Sequence, residues 1–147
     1  ENVEIIEVNF RAVFFKRYNK KVNFLFKTGW FGPLANNVLI LAVFLGIWGS
    51  YKNIYLYGSD TTIYKNIEVD QSDNSLLIQF EHFDSKTEYV PLRTGPLKNR
   101  IPNASEMMYS AYKLLKQHEV LNSFALSRGT NIFNKSKYSF LDAYLRK

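Results

Sequence analysis

The chain has 147 residues, of which 46% are hydrophobic and 16% aromatic, a composition that suits one folded domain and excludes a disordered chain. Cysteine is absent, which excludes a disulfide framework and any thiolate nucleophile or metal ligand. The net charge of +6 leaves an anionic small molecule, a membrane surface and nucleic acid open as partners. The longest apolar stretch, 38–48, is too short to cross a bilayer.

The first third of the chain predicts short strands followed by an apolar helix. Residues 3–10 fit a strand or a short helix, and 12–26 indicate two aromatic strands around a basic Asn-Lys-Lys turn. Glycines and a proline mark 27–37 as a loop. From Leu34 the pattern is helical and apolar nearly all round, which is typical of a helix in the interior of a layered fold.

The middle of the chain predicts strands and then a long loop. "KNIYLYG", 52–58, is a strand, and a strand that follows a buried helix favours parallel pairing. Residues 67–83 have the pattern of a hairpin around a polar turn. Residues 84–102 then form a loop of a length that is uncommon unless the loop is functional or mobile.

The last third predicts a long helix, a strand and a terminal helical turn. Asn103 and Glu106 have the spacing of a capping box, and Arg128 with Gly129 is typical of a helix end. "NIF" is a short strand, and 138–146 indicate one or two helical turns. The whole order predicts one α/β domain, or a domain fragment, over 1–147.

Gly58 and Asp60 form the first candidate site. They stand at the carboxyl end of the predicted strand, where open α/β sheets bind ligands. A flexible glycine followed by an acid is therefore a reasonable ligand loop. The alternative is that Asp60 only caps the turn through the two threonines after it.

Asn36 and Asn37 form the second candidate site, at the start of the apolar helix. Free backbone N–H groups and the helix dipole suit a phosphate or carboxylate there, and the amide side chains could contact a sugar or base. The simpler explanation is that asparagine is a good N-cap.

His82 and Tyr64 are the candidates for proton transfer and phosphate contact. His82 lies on a predicted strand beside the long loop and would suit a general base, although a hydrogen-bonded core histidine is the commoner case. Tyr64, just after the Gly58–Asp60 loop, could donate its hydroxyl to a phosphate. We expect His118 to be a surface or boundary residue, and no spacing of ligands predicts a metal site.

Residues 33–147 resemble a family pattern. "NNVLILAVFLGIWGSYKNIYLYGSD" is similar to an apolar helix, strand and Gly-x-Asp loop of bacterial surface-polysaccharide glycosyltransferases, and "VDQSDN" and "HFD" match the turn and strand end that follow. "ALSRGTNIFNKSKYSFLDAYLR" is similar to their closing segment. The chain resembles the DUF115-like group of these enzymes and, more distantly, bacterial sialyltransferases that use CMP-sialic acid.

The resemblance implies a metal-independent transferase that uses a nucleotide-sugar donor, for the sialyltransferases a CMP-sugar, and no separate cofactor. It assigns Asn36 and Asn37 to donor contact, Tyr64 to the leaving phosphate and His82 to the general base. Gly58 and Asp60 would shape the donor pocket. Thr61 and Thr62 replace the first of the family's tyrosines, so the resemblance does not identify the sugar.

The implied fold is a Rossmann-like layered fold with a central, partly parallel sheet. The family begins with a strand and a Gly-rich phosphate loop, and nothing like that loop precedes Val3, so we expect this chain to be the C-terminal part of a larger transferase domain. The implied acceptor is a lipopolysaccharide or capsule glycan, or a glycolipid, handled in the cytoplasm at the inner face of the cytoplasmic membrane, with peripheral membrane association.

A second class of function remains open from the residues themselves. A non-catalytic module that binds a polyanion or a partner protein through its basic surface would have the same charge. We expect no nucleic-acid partner, because the basic and aromatic run 14–27 lacks the motif of a single-strand binding platform.

Overall fold

The computed structural model describes residues 9–79, 88–94, 97 and 99–146. In this part of the chain three α-helices and one 3-10 helix alternate with seven short strands. In chain order they are β1 (Arg11–Val13), α1 (Lys20–Lys27), β2 (Phe31–Pro33), α2 (Val38–Trp48), β3 (Asn53–Leu56), the 3-10 turn (Thr62–Asn66), β4 (Ile67–Val69), β5 (Leu76–Gln79), β6 (Tyr89–Pro91), α3 (Ala104–Ser127) and β7 (Asn131–Asn134).

The strands confirm a mixed α/β fold that contains parallel pairs. β1 pairs with β2 and β3 pairs with β7, both in parallel, whereas β4, β5 and β6 form an antiparallel sheet. Within the described residues these are three separate small sheets. The parallel pairing expected for the strand 52–58 is confirmed, and its partner is the strand that follows α3.

The core lies where the three α-helices meet. Phe26 of α1, Phe44 of α2 and Phe124 of α3 are at most 2% exposed, and their ring centres lie between 5.1 and 6.1 Å apart. Phe26 meets Phe44 and Phe124 edge to face, whereas Phe44 and Phe124 are stacked, and both kinds of contact add to the free energy gained by burying the rings. This cluster anchors α3, whose first half contributes five residues to the lining of a cavity described below.

The N-terminal third differs from the sequence expectation. Residues 12–26 do not form two paired strands, because the side chain of Asn19 accepts a hydrogen bond from the Val22 amide and begins α1 instead. Val22 and Phe26 then lie one turn apart and are buried together. The predicted loop contains β2, which takes the place of the expected partner of β1.

The environment of α2 is also a correction. A helix of this composition was expected to be buried on all sides, yet its buried residues recur on one face, and Val38 and Trp48 are 80% and 51% exposed. The expectation was wrong because hydrophobicity says how well a face can be buried, whereas the neighbouring elements decide which face is covered.

The last two corrections concern the segments around α3. The predicted loop 84–102 contains β6, whose pairing with β5 makes the hairpin a three-stranded sheet. Residues 138–146 form no helix: Leu145 pairs with Phe133 and exchanges backbone hydrogen bonds with Ile132 and Asn134 beside β7.

The long helix α3 is confirmed, with both hydrogen bonds of its capping box present and Gly129 in the left-handed region at φ +71°. No helix among the described residues has the length and apolar character needed to span a bilayer.

Candidate functional site

The Gly58–Asp60 segment lies at the edge of the sheet where ligands are expected. Because β3 and β7 are parallel, their carboxyl ends and the residues after them lie together. Gly58 has φ +63°, a conformation that glycine adopts without strain, and Thr61 has φ +56°, which is rare for a β-branched residue. The chain therefore turns sharply twice within four residues.

A buried polar network occupies the centre of this segment. The Ser59 amide donates to the Ser136 hydroxyl at 2.9 Å, and the Ser59 hydroxyl donates to Asn134 Oδ1 at 3.3 Å. The Ser139 hydroxyl donates to the Ser59 carbonyl at 2.7 Å, and the Phe140 amide donates to the Asp60 carbonyl at 2.8 Å. The backbone of the predicted ligand loop is thus tied to the segment after β7, while the side chain of Asp60 is exposed.

Tyr64 lines the larger of two cavities next to the 3-10 turn. This Tyr64 cavity, of about 450 Å³, lies between the antiparallel sheet, the segment 92–102 and the first half of α3. Its volume is in the range of small-molecule sites. Tyr64 is half-buried and packs partly against the main core, and this burial raises the pKa of its phenol, so the hydroxyl keeps its proton and stays a donor at neutral pH.

The charges of the Tyr64 cavity are mostly cationic. Among the described residues, Arg93, Arg100 and Lys113 line it together with one carboxylate, that of Glu106. Arg100 pairs with Glu106 at 2.7 Å, and this pair lowers the pKa of the Glu106 carboxyl. Within the described residues Arg93 and Lys113 have no acidic partner, so two positive charges remain in excess beside Tyr64.

Local sequence gave no signal for these three cations. Arg93 and Arg100 come from the segment read as a loop, and Lys113 lies ten or more residues further along on α3. The antiparallel bridge between Thr94 and Arg100 folds the segment back on itself and brings both arginines to one cavity.

Asn36 and Asn37 differ from each other in the structure. The side chain of Asn37 accepts a hydrogen bond from the Ile40 amide at 3.0 Å and is the N-cap of α2, whereas Asn36 is exposed. Neither residue lines the Tyr64 cavity. The backbone just before Asn36 is held by Gln117, a fully buried residue. Its side chain accepts a hydrogen bond from the Leu34 amide and donates one to the Phe15 carbonyl.

The two histidines have different outcomes. His82 lies outside the described residues, three positions after β5, whose Ile78 lines the Tyr64 cavity. The expectation for His118 was wrong: it is fully buried, and its Nδ1 lies 2.6 Å from the Tyr144 hydroxyl. His118 is thus a core residue of the C-terminal half.

A second, smaller cavity of about 230 Å³, open to solvent, adjoins the 3-10 turn and the segment after β7. We call it the Tyr138 cavity; its lining includes Lys65, Lys137, Tyr138, Phe140 and Arg146. Tyr64 and Lys65 are consecutive residues, so the 3-10 turn contributes one side chain to each cavity.

The described residues contain no group of three or more His, Cys, Asp or Glu side chains arranged to hold a metal ion. Comparisons with protein-family models, curated proteins and solved structures returned no match.

Proposed function

We propose that the protein is a glycosyltransferase that moves a sugar from a nucleotide-sugar donor to a lipopolysaccharide or capsule glycan. The observation that carries the proposal is the Tyr64 cavity, where a neutral phenol and two cations in excess surround a space of about 450 Å³. Hydrogen-bond donors of this kind suit a phosphate group of the nucleotide sugar. Arg93 and Lys113 would form charge-assisted hydrogen bonds with that phosphate.

The proposed reaction is a displacement at the anomeric carbon of the donor sugar. The acceptor oxygen forms the new bond to that carbon, the bond from carbon to phosphate oxygen breaks, and the nucleotide leaves with the electron pair. Tyr64, Arg93 and Lys113 would stabilise the charge that develops on the leaving phosphate. His82 would take the proton from the acceptor hydroxyl. Asn36, Asn37, Gly58 and Asp60 are not among the residues that line the Tyr64 cavity, so their proposed contacts would be with a part of the donor that extends beyond it.

The proposal also includes a fold and a cellular location for this activity. The segment β2–α2–β3 and the parallel strands β3 and β7 are compatible with a Rossmann-like layered fold that has a partly parallel sheet. A cytoplasmic transferase associated with the inner face of the membrane would reach a glycolipid acceptor there, and the net charge of +6 favours an anionic surface.

A second candidate, a non-catalytic module that binds a polyanion, is favoured by a different surface. Lys16, Arg17 and Lys21 lie with Phe14 and Phe15 around a shallow hollow at the start of α1. All three cations are exposed, and within the described residues they make no ion pair. Such a surface attracts anionic polymers in a salt-dependent way.

Calorimetric titration of the protein with CMP-, UDP- and GDP-sugars tests the two candidates. We expect one of these donors to bind, and Arg93→Gln or Lys113→Gln to weaken its binding about tenfold, as the loss of a charge-assisted hydrogen bond does. Lys16→Gln is the matched control, since it removes the same charge outside the Tyr64 cavity and should leave the affinity unchanged.

Failure of all three donors to bind, with steeply salt-dependent binding to an anionic polymer that Lys16→Gln weakens, would overturn the transferase proposal in favour of the binding module. Where turnover is found, Tyr64→Phe should lower it while keeping the ring. A His82→Ala variant that retains turnover would remove His82 from the role of base.

A further inference from the structure

The Tyr138 cavity gathers cations from three separate parts of the chain. Lys65 comes from the 3-10 turn, Lys137 from the segment after β7, and Arg146 from the strand-like C-terminal segment. The ammonium groups of Lys65 and Lys137 lie 6.0 and 5.8 Å from the centre of the Tyr138 ring. Arg146 donates a hydrogen bond to the Ser139 carbonyl, which orients its guanidinium at the same cavity.

The described residues place no carboxylate in the lining of this cavity. Asp60 and Asp142 are the acids joined to it through the backbone, where the Asp60 carbonyl and the Asp142 amide bond Phe140. Three positive charges around one small space repel each other, and an anion in that space would relieve the repulsion. The charge pattern is that of an anion site.

The frame of the cavity is held in place by buried polar groups. The Ser139 hydroxyl, besides donating to Ser59, accepts hydrogen bonds from Asn134 Nδ2 at 2.9 Å and from the Leu141 amide at 3.1 Å. Asn134 is 3% exposed, so this network does not depend on solvent. Residues 137–140 therefore present their side chains from a fixed backbone, as a preorganised site requires.

Two aromatic rings complete the cavity. Tyr138 is 69% exposed and Phe140 43% exposed, although both belong to the segment 137–140, which the hydrogen bonds of Ser139 hold in place. A volume of about 230 Å³ is below the range of drug-sized ligands and suits a single ring with one charged group. A sugar ring packs its C–H groups on an aromatic face. A sugar with an anionic substituent therefore matches aromatic faces that lie beside cations.

We propose that the Tyr138 cavity binds a sugar residue that carries a phosphate or carboxylate group, with Lys65, Lys137 and Arg146 holding the anion and Tyr138 the sugar ring. This inference rests on the proposed function in one respect, the role of that sugar as part of the acceptor. The 3-10 turn supports that role, because its consecutive residues Tyr64 and Lys65 line the donor cavity and the Tyr138 cavity, respectively.

Backbone amide shifts of 137–140 in an NMR titration test the proposal, with glucose 6-phosphate and glucuronic acid as probes. We expect both probes to shift these amides, neutral glucose to leave them unchanged, and inorganic phosphate to bind at least tenfold more weakly than the sugar phosphate. The variant Lys65→Gln/Lys137→Gln should weaken the sugar phosphate at least tenfold.

Two further variants separate the proposal from its competitors. Lys27→Gln/Lys52→Gln removes the same charge from exposed positions outside the cavity, and it should change the affinity less than twofold. Tyr138→Ala should weaken the sugar phosphate more than inorganic phosphate, because both lose the contacts of Lys65 and Lys137 with the ring but only the sugar phosphate also loses its own packing on the ring.

Three outcomes would overturn the inference: an equal loss of affinity in both double variants, equal binding of inorganic phosphate and sugar phosphate, or binding to anionic vesicles through Lys65 and Lys137 without any shift by the sugars. Each leaves the donor titration at the Tyr64 cavity unaffected. Conversely, shifts of 137–140 by the sugar phosphate without binding of any nucleotide sugar would overturn the proposed function and keep the anionic sugar site.

Discussion

His118 shows at the scale of one residue how burial changes chemistry. It is fully buried, its Nδ1 bonds the Tyr144 hydroxyl, and its Nε2 has no hydrogen-bond partner among the described residues. Burial disfavours the charged imidazolium and lowers the pKa of His118 from 6.5 to about 4. The residue is therefore neutral in the folded protein at neutral pH.

This shift predicts that acid destabilises the protein through His118. Above pH 6.5 the imidazole is neutral in both states, and its contribution does not change. As the pH falls from about 6.5 towards 4, the unfolded chain binds a proton that the folded chain does not, so the free energy of unfolding decreases by up to about 1.4 kcal/mol per pH unit. Urea denaturation between about pH 7.5 and about pH 5 measures this slope.

The test variant is His118→Gln, whose free energy of unfolding is compared with that of the wild type at each pH. We expect it to flatten the slope, since glutamine does not titrate. If the His118→Gln protein loses stability with falling pH as steeply as the wild type, the slope belongs to other groups.

At the scale of the elements, α2 combines a strong local signal with a functional candidate. Its N-cap is Asn37, whose side chain accepts from the Ile40 amide at 3.0 Å, while the neighbouring Asn36 is exposed. The helical pattern was expected to begin at Leu34, four residues before α2 begins at Val38, and "NNVLI" did not distinguish the capping asparagine from its neighbour, because both positions hold the same good N-cap residue.

We expect Asn37→Ala to lower the free energy of unfolding by about 1 kcal/mol, because the first turn of α2 loses its cap, and Asn36→Ala to change it by only a few tenths. Urea denaturation of the two variants measures the difference. Equal stability of the two proteins would contradict the assignment of Asn37 as the cap. A loss of donor binding in Asn36→Ala without a loss of stability would favour its proposed contact with the nucleotide sugar.

At the scale of the whole molecule, the aromatic cluster joins segments that are far apart in sequence. Phe26 packs against Phe15, Phe44 and Phe124 with ring centres 5.1 to 5.3 Å away, whereas Phe24 on the same helix is 66% exposed. The cluster is thus the point where α1 is attached to α2 and α3.

Phe26→Ala should therefore lower the free energy of unfolding by about 3–5 kcal/mol, because it leaves a cavity between three helices. Phe24→Ala on the same helix serves as the control, and its effect should stay within about 0.5 kcal/mol. Thermal denaturation followed by circular dichroism compares the two. A similar loss in both variants would contradict the assignment of the effect to the core contacts of Phe26, since alanine favours the helix at both positions.

The sequence by itself determined the elements whose signals are local. The capping box of Asn103 and Glu106, the apolar run of α2, the strand 52–58 and the hairpin turn all depend on neighbouring residues, and each lies where it was predicted. Tyr64 is a candidate from its place in the sequence, and the structure puts it in a cavity. Local hydrogen bonds and side-chain periodicity act over a few residues, so they can be predicted from a short window.

Only the tertiary structure decided which faces are buried and which charges meet. Asn19 caps the start of α1 locally, but the partners of Phe26 across the core decide which face of that helix is buried. Residues 138–146 are extended because β7 offers Leu145 a backbone partner. The cations of both cavities come from segments separated by up to about 80 positions. Burial and charge clustering arise from contacts between distant segments, and no local pattern records them.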